Sequence, residues 1–274
     1  MLKRFHIDTE TVLYGVIGSP VSHSLSPVMH NRAFAEVRLN SIYLAFDVTD
    51  ISSALAGIRG LGLKGASITI PHKVTALSFL DEIDGKAQQI GAINTIVNHQ
   101  GSLRGYNSDC YGAVKALIAK TTLWEKKVAL IGAGGAARAV GFGLLWEGAR
   151  ITVFNRSIKK GENLAKDMGV NFRPLAEFDQ DSHQIIVNTT SVGMSPNTQA
   201  MPIAPSLLAK EMVVMDIVYN PLRTALIRAA EKAGCTTVDG VDMFVYQGVA
   251  QFEKWTGIKA PVKVMRKAVL EVLQ

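Results

Sequence analysis

The sequence predicts an α/β protein built as two open α/β domains separated by a cleft. Three observations carry this expectation. Residues 127–156 read KVALIGAGGAARAVGFGLLWEGARITVFNR: a strand, a glycine turn, a helix and a second strand in direct succession. Over the first hundred residues, short apolar runs alternate with helical stretches, the pattern of a mostly parallel sheet joined by crossover helices. A length of 274 residues leaves room for two modest domains, and a hydrophobic fraction of 48% is enough to give each a core.

The elements follow in order. Val12 to Ile17 is a strand that ends at Gly18. Ser26 and Pro27 read as the N-cap and first position of a helix reaching about Val37. Ser41 to Asp47 is the next strand, and Asp50 caps a helix containing Ile51, Leu55 and Ile58. Gly65 to Ile70 is a third strand, stopped by Pro71. A helical piece over Thr75 to Leu80, a strand over Ala92 to Val97 and a turn at Gly101 complete this part. Ser108 to Lys120 is a helix leading into the second domain. There, Val128 to Ile131 is an unbroken apolar strand, Ala136 to Leu145 a helix, and Arg150 to Phe154 a strand. A helix over Ser157 to Met168, strands over Gln184 to Asn188 and Met212 to Val218, a helix starting at Pro221 and Leu222, and a strand over Thr236 to Val238 come next. The helices Val241 to Trp255 and Val262 to Leu273 are separated by Gly257 and Pro261. The second domain therefore spans about 112–240, while the pattern alone leaves the last two helices free to belong to either domain.

Composition narrows the function classes. Lys and Arg exceed Asp and Glu by 29 − 23 = 6, but the basic residues are dispersed and form no dense stripe, so anionic small molecules explain the excess better than nucleic acid. No apolar run reaches the length of a membrane span, and the first ten residues, MLKRFHIDTE, hold no signal-like apolar region. Cys110 and Cys235 are far apart and suggest no disulfide framework, which points to a reducing cytoplasm. The six histidines show no metal-ligand spacing, so no metal is expected.

The glycine turn carries the most specific signal. Gly132 permits the tight turn, Ala133 follows it, Gly134 lets the backbone approach a pyrophosphate, and Gly135 and Ala136 open the helix whose free N–H groups face phosphate. Ala137 takes the third small position, where helix and strand pack closely. A bare glycine-rich turn that binds nothing is the competing reading; the flanking strands and helix oppose it. The end of the second strand selects the dinucleotide. An NAD site places an acid there, whereas this chain reads Asn155, Arg156, Ser157, with Lys159 and Lys160 behind and no acid before Glu162. Arg156 can fork onto a 2′-phosphate, and Lys160 adds charge, so NADP(H) is the expected cofactor. Cations at a helix start oppose the dipole, a conflict that a bound anion would resolve.

Further polar residues sit at strand ends, where open α/β sheets place ligands. Ser24 and Ser26 can hold a carboxylate beside a helix start; simple capping by Ser26 competes with that reading. Ser67 and Thr69 share a face of the third strand by the period of two, and Lys73 follows Pro71. A lysine there can donate to an alcohol or a growing alkoxide, although most lysines are simply solvated. Asn94 lies in GAINTIV. Asp109, at a helix start in GYNSDC, is either a plain helix-start acid or, beside Lys73, half of an acid/base pair. The segment NTTSVGM, containing Thr190, fits a loop over the nicotinamide side. Tyr219 has a phenol that can reach substrate or merely pack. Gln247 lies four residues after Met243 on one helix; its amide needs a partner if buried, and Met243 is a packing residue, with the nicotinamide ring one candidate partner.

The blocks VIGSPVSHSLSPVMHN, SITIPHK, GAINTIV, GYNSD, GAGGAARA, FNRS, NTTSVGM, DIVYNP and DGVDMFVYQGVAQFEKWTG together resemble shikimate dehydrogenases, in the same order and over nearly the whole chain. That resemblance implies NADPH-dependent, reversible reduction of 3-dehydroshikimate to shikimate in aromatic amino acid biosynthesis. It implies Lys73 and Asp109 as the catalytic pair, Ser24 and Ser26 at the substrate carboxylate with help from Tyr219, and Thr69, Asn94 and Gln247 around the ring hydroxyls. It further implies Gly132, Gly134, Gly135 and Ala136 as the nucleotide loop, Asn155, Arg156, Ser157 and Lys160 as the 2′-phosphate site, and the last two helices as part of the substrate domain. The expected domains are then 1–111 with 241–274, and 112–240. Ser67 stands where the family usually has Asn, Ser108 where it has Thr, and Lys160 where it often has Arg. A quinate/shikimate dehydrogenase of broader range and a non-catalytic NADP-binding sensor are the alternatives; a monomer and a homodimer are both compatible with the sequence.

Overall fold

The structure is a computed structural model and describes residues 7–179 and 183–274. The chain divides into two units. One holds Met1–Ser108 with Gly248–Val272, the other Asp109–Gln247 with Leu273–Gln274.

In the first unit the chain forms β1 (Val12–Gly18), α1 (Ser26–Glu36), β2 (Ser41–Asp47), α2 (Ile51–Leu61), β3 (Gly65–Ile68), a 3₁₀ turn (Thr75–Phe79), β4 (Glu82–Ile83), α3 (Gly85–Ile90), β5 (Thr95–His99) and β6 (Ser102–Tyr106). The sheet order is β2-β1-β3-β5-β6-β4. β1 runs parallel to β2 and β3, and β4 parallel to β6, but β5 is antiparallel to both β3 and β6. The sheet is thus more mixed than the alternating pattern predicts. A hairpin at Gln100 and Gly101, both with positive φ, sets the β5–β6 pairing and returns the chain as β6, a strand the sequence does not predict.

Two further local expectations change. Ser26 is the first helical residue of α1, not its cap: Leu25 holds that place, and Ser24 Oγ accepts from the Ser26 N–H at 3.3 Å. β3 ends at Ile68, so Thr69 lies just beyond the strand, its N–H donating to Ile17 O at 2.9 Å. Asp50 caps α2 as expected, accepting from the Ser52 N–H.

The core of this unit has two faces. Ile17, Leu55, Ile58, Ile68, Ile93 and Leu103 bury one, each side chain contributing about 1.5–3 kcal/mol. Against the other lie the aromatic rings of Tyr14, Phe34, Tyr43, Phe252 and Trp255 with His30 among them. Trp255 donates its indole N–H to Ile96 O at 2.9 Å. A Cβ at Gly65 would stand 2.2 Å from that indole nitrogen, so glycine is what lets the helix carrying Trp255 lie this close to β3.

The second unit contains α4 (Asp109–Ile118), β7 (Lys127–Ile131), α5 (Gly135–Trp146), β8 (Arg150–Asn155), α6 (Ile158–Met168), β9 (Asn171–Pro174), β10 (Ile185–Asn188), β11 (Val213–Asp216), α7 (Ala225–Lys232) and β12 (Thr236–Val238). Then follow α8 (Gly240–Thr256), which passes from the second unit into the first, and α9 (Val262–Leu273). The sheet order is β12-β11-β10-β7-β8-β9, with every pairing parallel. Counted within the unit, this is the doubly wound order 3-2-1-4-5-6, whose switch point lies between β7 and β10. β9 is a strand the sequence does not predict. α7 starts at Ala225 rather than Pro221, because Thr224 supplies the cap, accepting from the Ile227 N–H.

Candidate active site

The first unit gathers its predicted residues at the ends of β1, β3 and β5. Ser24 and Ser26 follow β1; Ser26 is buried and Ser24 half-buried. Lys73 follows β3, half-buried, with its carbonyl accepting from the Ile93 N–H at 2.8 Å, which ties the Lys73 loop to the start of β5. Asn94 immediately precedes β5 and is 3% exposed, so its polar atoms require internal partners. Its Oδ1 accepts from the Ser108 N–H at 2.7 Å, and its Nδ2 donates to Ser108 Oγ at 2.9 Å. A main-chain N–H can only donate, so this pairing fixes which end of the Asn94 amide is oxygen.

In the second unit the switch point is where the nucleotide loop lies. β7 ends at Ile131, and Gly132 turns with φ of 118°. A Cβ there would fall 2.6 Å from Thr189 Oγ1, whose hydroxyl donates to Ile131 O at 2.6 Å. By contrast, Cβ atoms at Gly134 and Gly135 would meet only open space. Gly134 is also the cap of α5 and supplies no side chain to its first-turn N–H groups, so the cradle is open and donor-rich where a pyrophosphate would sit. Ala137 is fully buried against the strands, as the fingerprint requires. Gly132→Ala is expected to lower the Tm by roughly 5 °C and to weaken NADPH binding more than tenfold, because strain and collision fall together at one position. A thermal-shift series with and without NADPH reads both effects; an unchanged Tm and affinity would contradict this account of the turn.

Beyond β8, Asn155 is half-buried with its Nδ2 donating to Ser157 O at 2.8 Å, while Arg156, Ser157 and Lys160 are exposed. Ser157 is the cap residue of α6 but makes no side-chain cap bond. Arg156 lines a cavity of about 420 Å³ with Ile158, Leu175, Phe178, Pro202 and Ile203. An uncapped helix start carrying three exposed cations, Arg156, Lys159 and Lys160, is a site short of negative charge. Those features fit a 2′-phosphorylated adenosine.

The loop after β10 is held by a buried acid that sequence reasoning did not pick as a site residue. Asp216, fully buried at the end of β11, accepts from Asn188 Nδ2 at 2.9 Å, the Val218 N–H at 3.1 Å and Thr224 Oγ1 at 2.7 Å. Asn188 Oδ1 in turn accepts from the N–H and the hydroxyl of Thr190 at 3.1 and 2.7 Å. The position of Thr190 is therefore set by a carboxylate two links away. The available signal was an Asp ending an otherwise apolar strand, whose burial requires partners.

Burial raises the Asp216 carboxyl to about 6, against the opposing pull of Thr224, Val218 and Asn188. A raised folded value means the linked stability is complete below the ordinary value of 3.8 and is lost as pH rises through about 6. Between pH 4 and pH 7 the wild type should therefore lose about 2 kcal/mol relative to Asp216→Asn, on top of any constant cost of the amide's mispaired bonds. Paired unfolding curves across that range check the sign; a difference that stays flat would refute it.

In the second unit α4 backs onto α8, the helix that carries Met243 and Gln247, and Tyr219 packs on that same helix. Tyr219 packs on Phe244 with ring centroids 4.7 Å apart, and burial pushes its phenol pKa up. Gln247 is 8% exposed and donates to Phe244 O at 2.8 Å, the partner its burial demanded. Gly112, one turn beyond Asp109, backs directly onto α8: a Cβ there would lie 2.6 Å from Met243 O and 3.0 Å from Gln247 Cβ. Asp109 is the first residue of α4 and 7% exposed. Among the described residues no group of His, Cys, Asp and Glu side chains could hold a metal, and no helix is long and apolar enough to cross a membrane.

Comparison with known proteins gives a consistent result. Residues 16–96 match the shikimate dehydrogenase substrate binding domain, 115–241 match shikimate / quinate 5-dehydrogenase, and 240–270 match the shikimate 5'-dehydrogenase C-terminal domain. The chain is 42% identical to the NADP(+) shikimate dehydrogenase of Methanococcus maripaludis, over 96% of this chain and 99% of that one. The crystal structure of a shikimate dehydrogenase in complex with NADP+ superposes with a TM-score of 0.95 at 40% identity, covering 98% of both chains. That of shikimate 5-dehydrogenase from Thermus thermophilus, in complex with NADP(H) and shikimate, gives 0.90 at 34% identity, covering 96% of this chain and 100% of the other.

Proposed function

The chain belongs to the shikimate dehydrogenase family, and on that premise we propose that it catalyses the reversible, NADPH-dependent reduction of 3-dehydroshikimate to shikimate on the route to chorismate and the aromatic amino acids. The observation that carries the reading is the nucleotide half-site: an open glycine cradle followed, at the end of β8, by Arg156 and Lys160 where an NAD site has an acid. Gly132, Ala133, Gly134, Gly135 and Ala136 would hold the pyrophosphate, and Asn155, Arg156, Ser157 and Lys160 the 2′-phosphate. Thr190 and Met243 would flank the nicotinamide. When bound, NADPH supplies the hydride.

The chain's own residues do the rest. Ser24 and Ser26, with the Tyr219 phenol, hold the substrate carboxylate. Thr69, Asn94 and Gln247 orient the ring hydroxyls. Lys73 Nζ donates a hydrogen bond to the ketone oxygen and stabilises the charge that grows there, with Asp109 as its acidic partner. In reduction the pair delivers a proton to that oxygen, and in oxidation it accepts the hydroxyl proton. We assign substrate binding to residues 1–111 with 241–274, NADP binding to 112–240, and the reaction to the cytoplasm.

The test is an activity matrix on purified protein: shikimate and quinate, each with NADP+ and NAD+. Turnover of shikimate with NADP+ should exceed the other three combinations. Efficient quinate oxidation with NAD+ and little activity toward shikimate would overturn the assignment, as would NADP binding without turnover of either alcohol.

A further inference from the structure

Several buried polar side chains of the first unit are joined by hydrogen bonds, and Gln251 is at their centre. Gln251, in α8, is 1% exposed and occupies both ends of its amide. Its Nε2 donates to Asn94 O and to Thr95 Oγ1, both at 3.0 Å; its Oε1 accepts from Ser67 Oγ at 2.8 Å. A main-chain carbonyl cannot donate, so the contact with Asn94 O fixes the amide's orientation without ambiguity.

The remaining directions follow by elimination. Ser67 has one proton, and Gln251 Oε1 takes it; the Tyr43 phenol, 2.6 Å away, must therefore donate to Ser67. The phenol oxygen is left with its lone pairs to accept. On the second arm, Thr95 Oγ1 accepts from Gln251, so its own proton goes to Asn94 Oδ1 at 2.7 Å. That oxygen also takes the Ser108 N–H at 2.7 Å and lies 3.1 Å from the Ser108 hydroxyl, so its accepting capacity is used within the network. Ser67 thus offers a ligand a lone pair but no proton, and any further hydrogen bond from the Asn94 side chain is made as a donor.

We propose that Gln251 is a positioning residue for substrate, setting the donor and acceptor pattern of the pocket through Ser67 and Tyr43 on one arm and through Thr95 and Asn94 on the other. The inference rests on the functional reading above, in which Asn94 touches a ring hydroxyl. It also gives a reason for Ser67: a hydroxyl there is short enough to complete the relay from Tyr43 to Gln251. Without Gln251, the Ser67 and Thr95 hydroxyls lose their fixed partners and can turn protons toward or away from the ligand. The amide of Asn94 is then held by fewer bonds.

The experiment uses the full chain and measures Michaelis constants for shikimate and for NADP+ in wild type, Gln251→Met, Tyr43→Phe and the double variant. Met keeps the length and apolar volume of the Gln251 side chain, and Phe keeps the ring of Tyr43. The expected result for Gln251→Met is a shikimate constant raised about tenfold with the NADP+ constant unchanged within about twofold. Tyr43→Phe should raise the shikimate constant about threefold, and the double variant should match Gln251→Met within a factor of about two, because both act through Ser67. A loss of packing alone would not separate the two substrates in this way. The inference is overturned by a shikimate constant that stays within twofold in folded Gln251→Met, by parallel rises for both substrates, or by multiplicative effects in the double variant. Should Gln251→Met fail to fold, Tyr43→Phe decides alone, an unchanged shikimate constant counting against the relay. Absence of shikimate turnover in the wild type would remove the functional reading and this inference with it; normal wild-type turnover with indifferent variants would remove the inference only.

Discussion

Lys73→Ala is expected to lower kcat roughly 10³-fold while the Michaelis constant for NADPH stays within about threefold. The reasoning begins with where the lysine stands. It follows β3 at the carboxyl end of the strand, half-buried, on a loop anchored by its own carbonyl to the Ile93 N–H. The anchor is a main-chain bond, so truncating the side chain leaves the loop in place and removes only the ammonium. In the proposed role that group is needed most when negative charge grows on the substrate oxygen, so its loss should act on the transition state and little on cofactor binding. Steady-state kinetics with both substrates varied, beside a Tm to certify folding, is the deciding measurement. A folded Lys73→Ala enzyme with unchanged kcat would remove Lys73 from the chemistry.

Arg156→Ala should raise the Michaelis constant for NADPH between about 10- and 100-fold and that for NADH by less than about twofold. Arg156 is exposed and lines the cavity beside Leu175 and Phe178, so its removal costs little in folding. A guanidinium paired with a phosphate makes charge-assisted, often bidentate bonds, and the corresponding hydroxyl of NADH offers no such partner. Raising the salt concentration should shrink the wild type's preference for NADPH in the same direction, since this contact is partly solvated. Equal effects on the two cofactors would show that Arg156 contacts the adenosine without reading its phosphate.

Much of the second unit was legible in the sequence. The stretch from Lys127 to Arg156 is contiguous, and its signals are local: an apolar strand, a glycine that must turn with positive φ, a helix start without a cap, and basic residues where an acid would otherwise stand. What escaped was set by distant partners. β6 and the antiparallel arrangement of β5 depend on a hairpin whose tight turn at Gln100 and Gly101 was visible, but whose pairing was not. Ser26 reads as a helix cap because Ser-Pro usually is one, yet Leu25 takes the cap position and Ser26 is the buried first residue of the helix. The part Asp216 plays depends on Asn188 and Thr224, which lie 28 and 8 positions away and donate to its carboxylate.

The sequence by itself determined which cofactor half-site this protein carries, because a dinucleotide loop is encoded within some thirty consecutive residues by backbone conformation and helix-end charge. Only the tertiary structure decided how the substrate-side polar groups point. Gln251 reaches Ser67, Asn94 and Thr95 across 184, 157 and 156 positions of chain. A hydrogen bond's direction depends on what stands opposite, and no local pattern records a partner that far away.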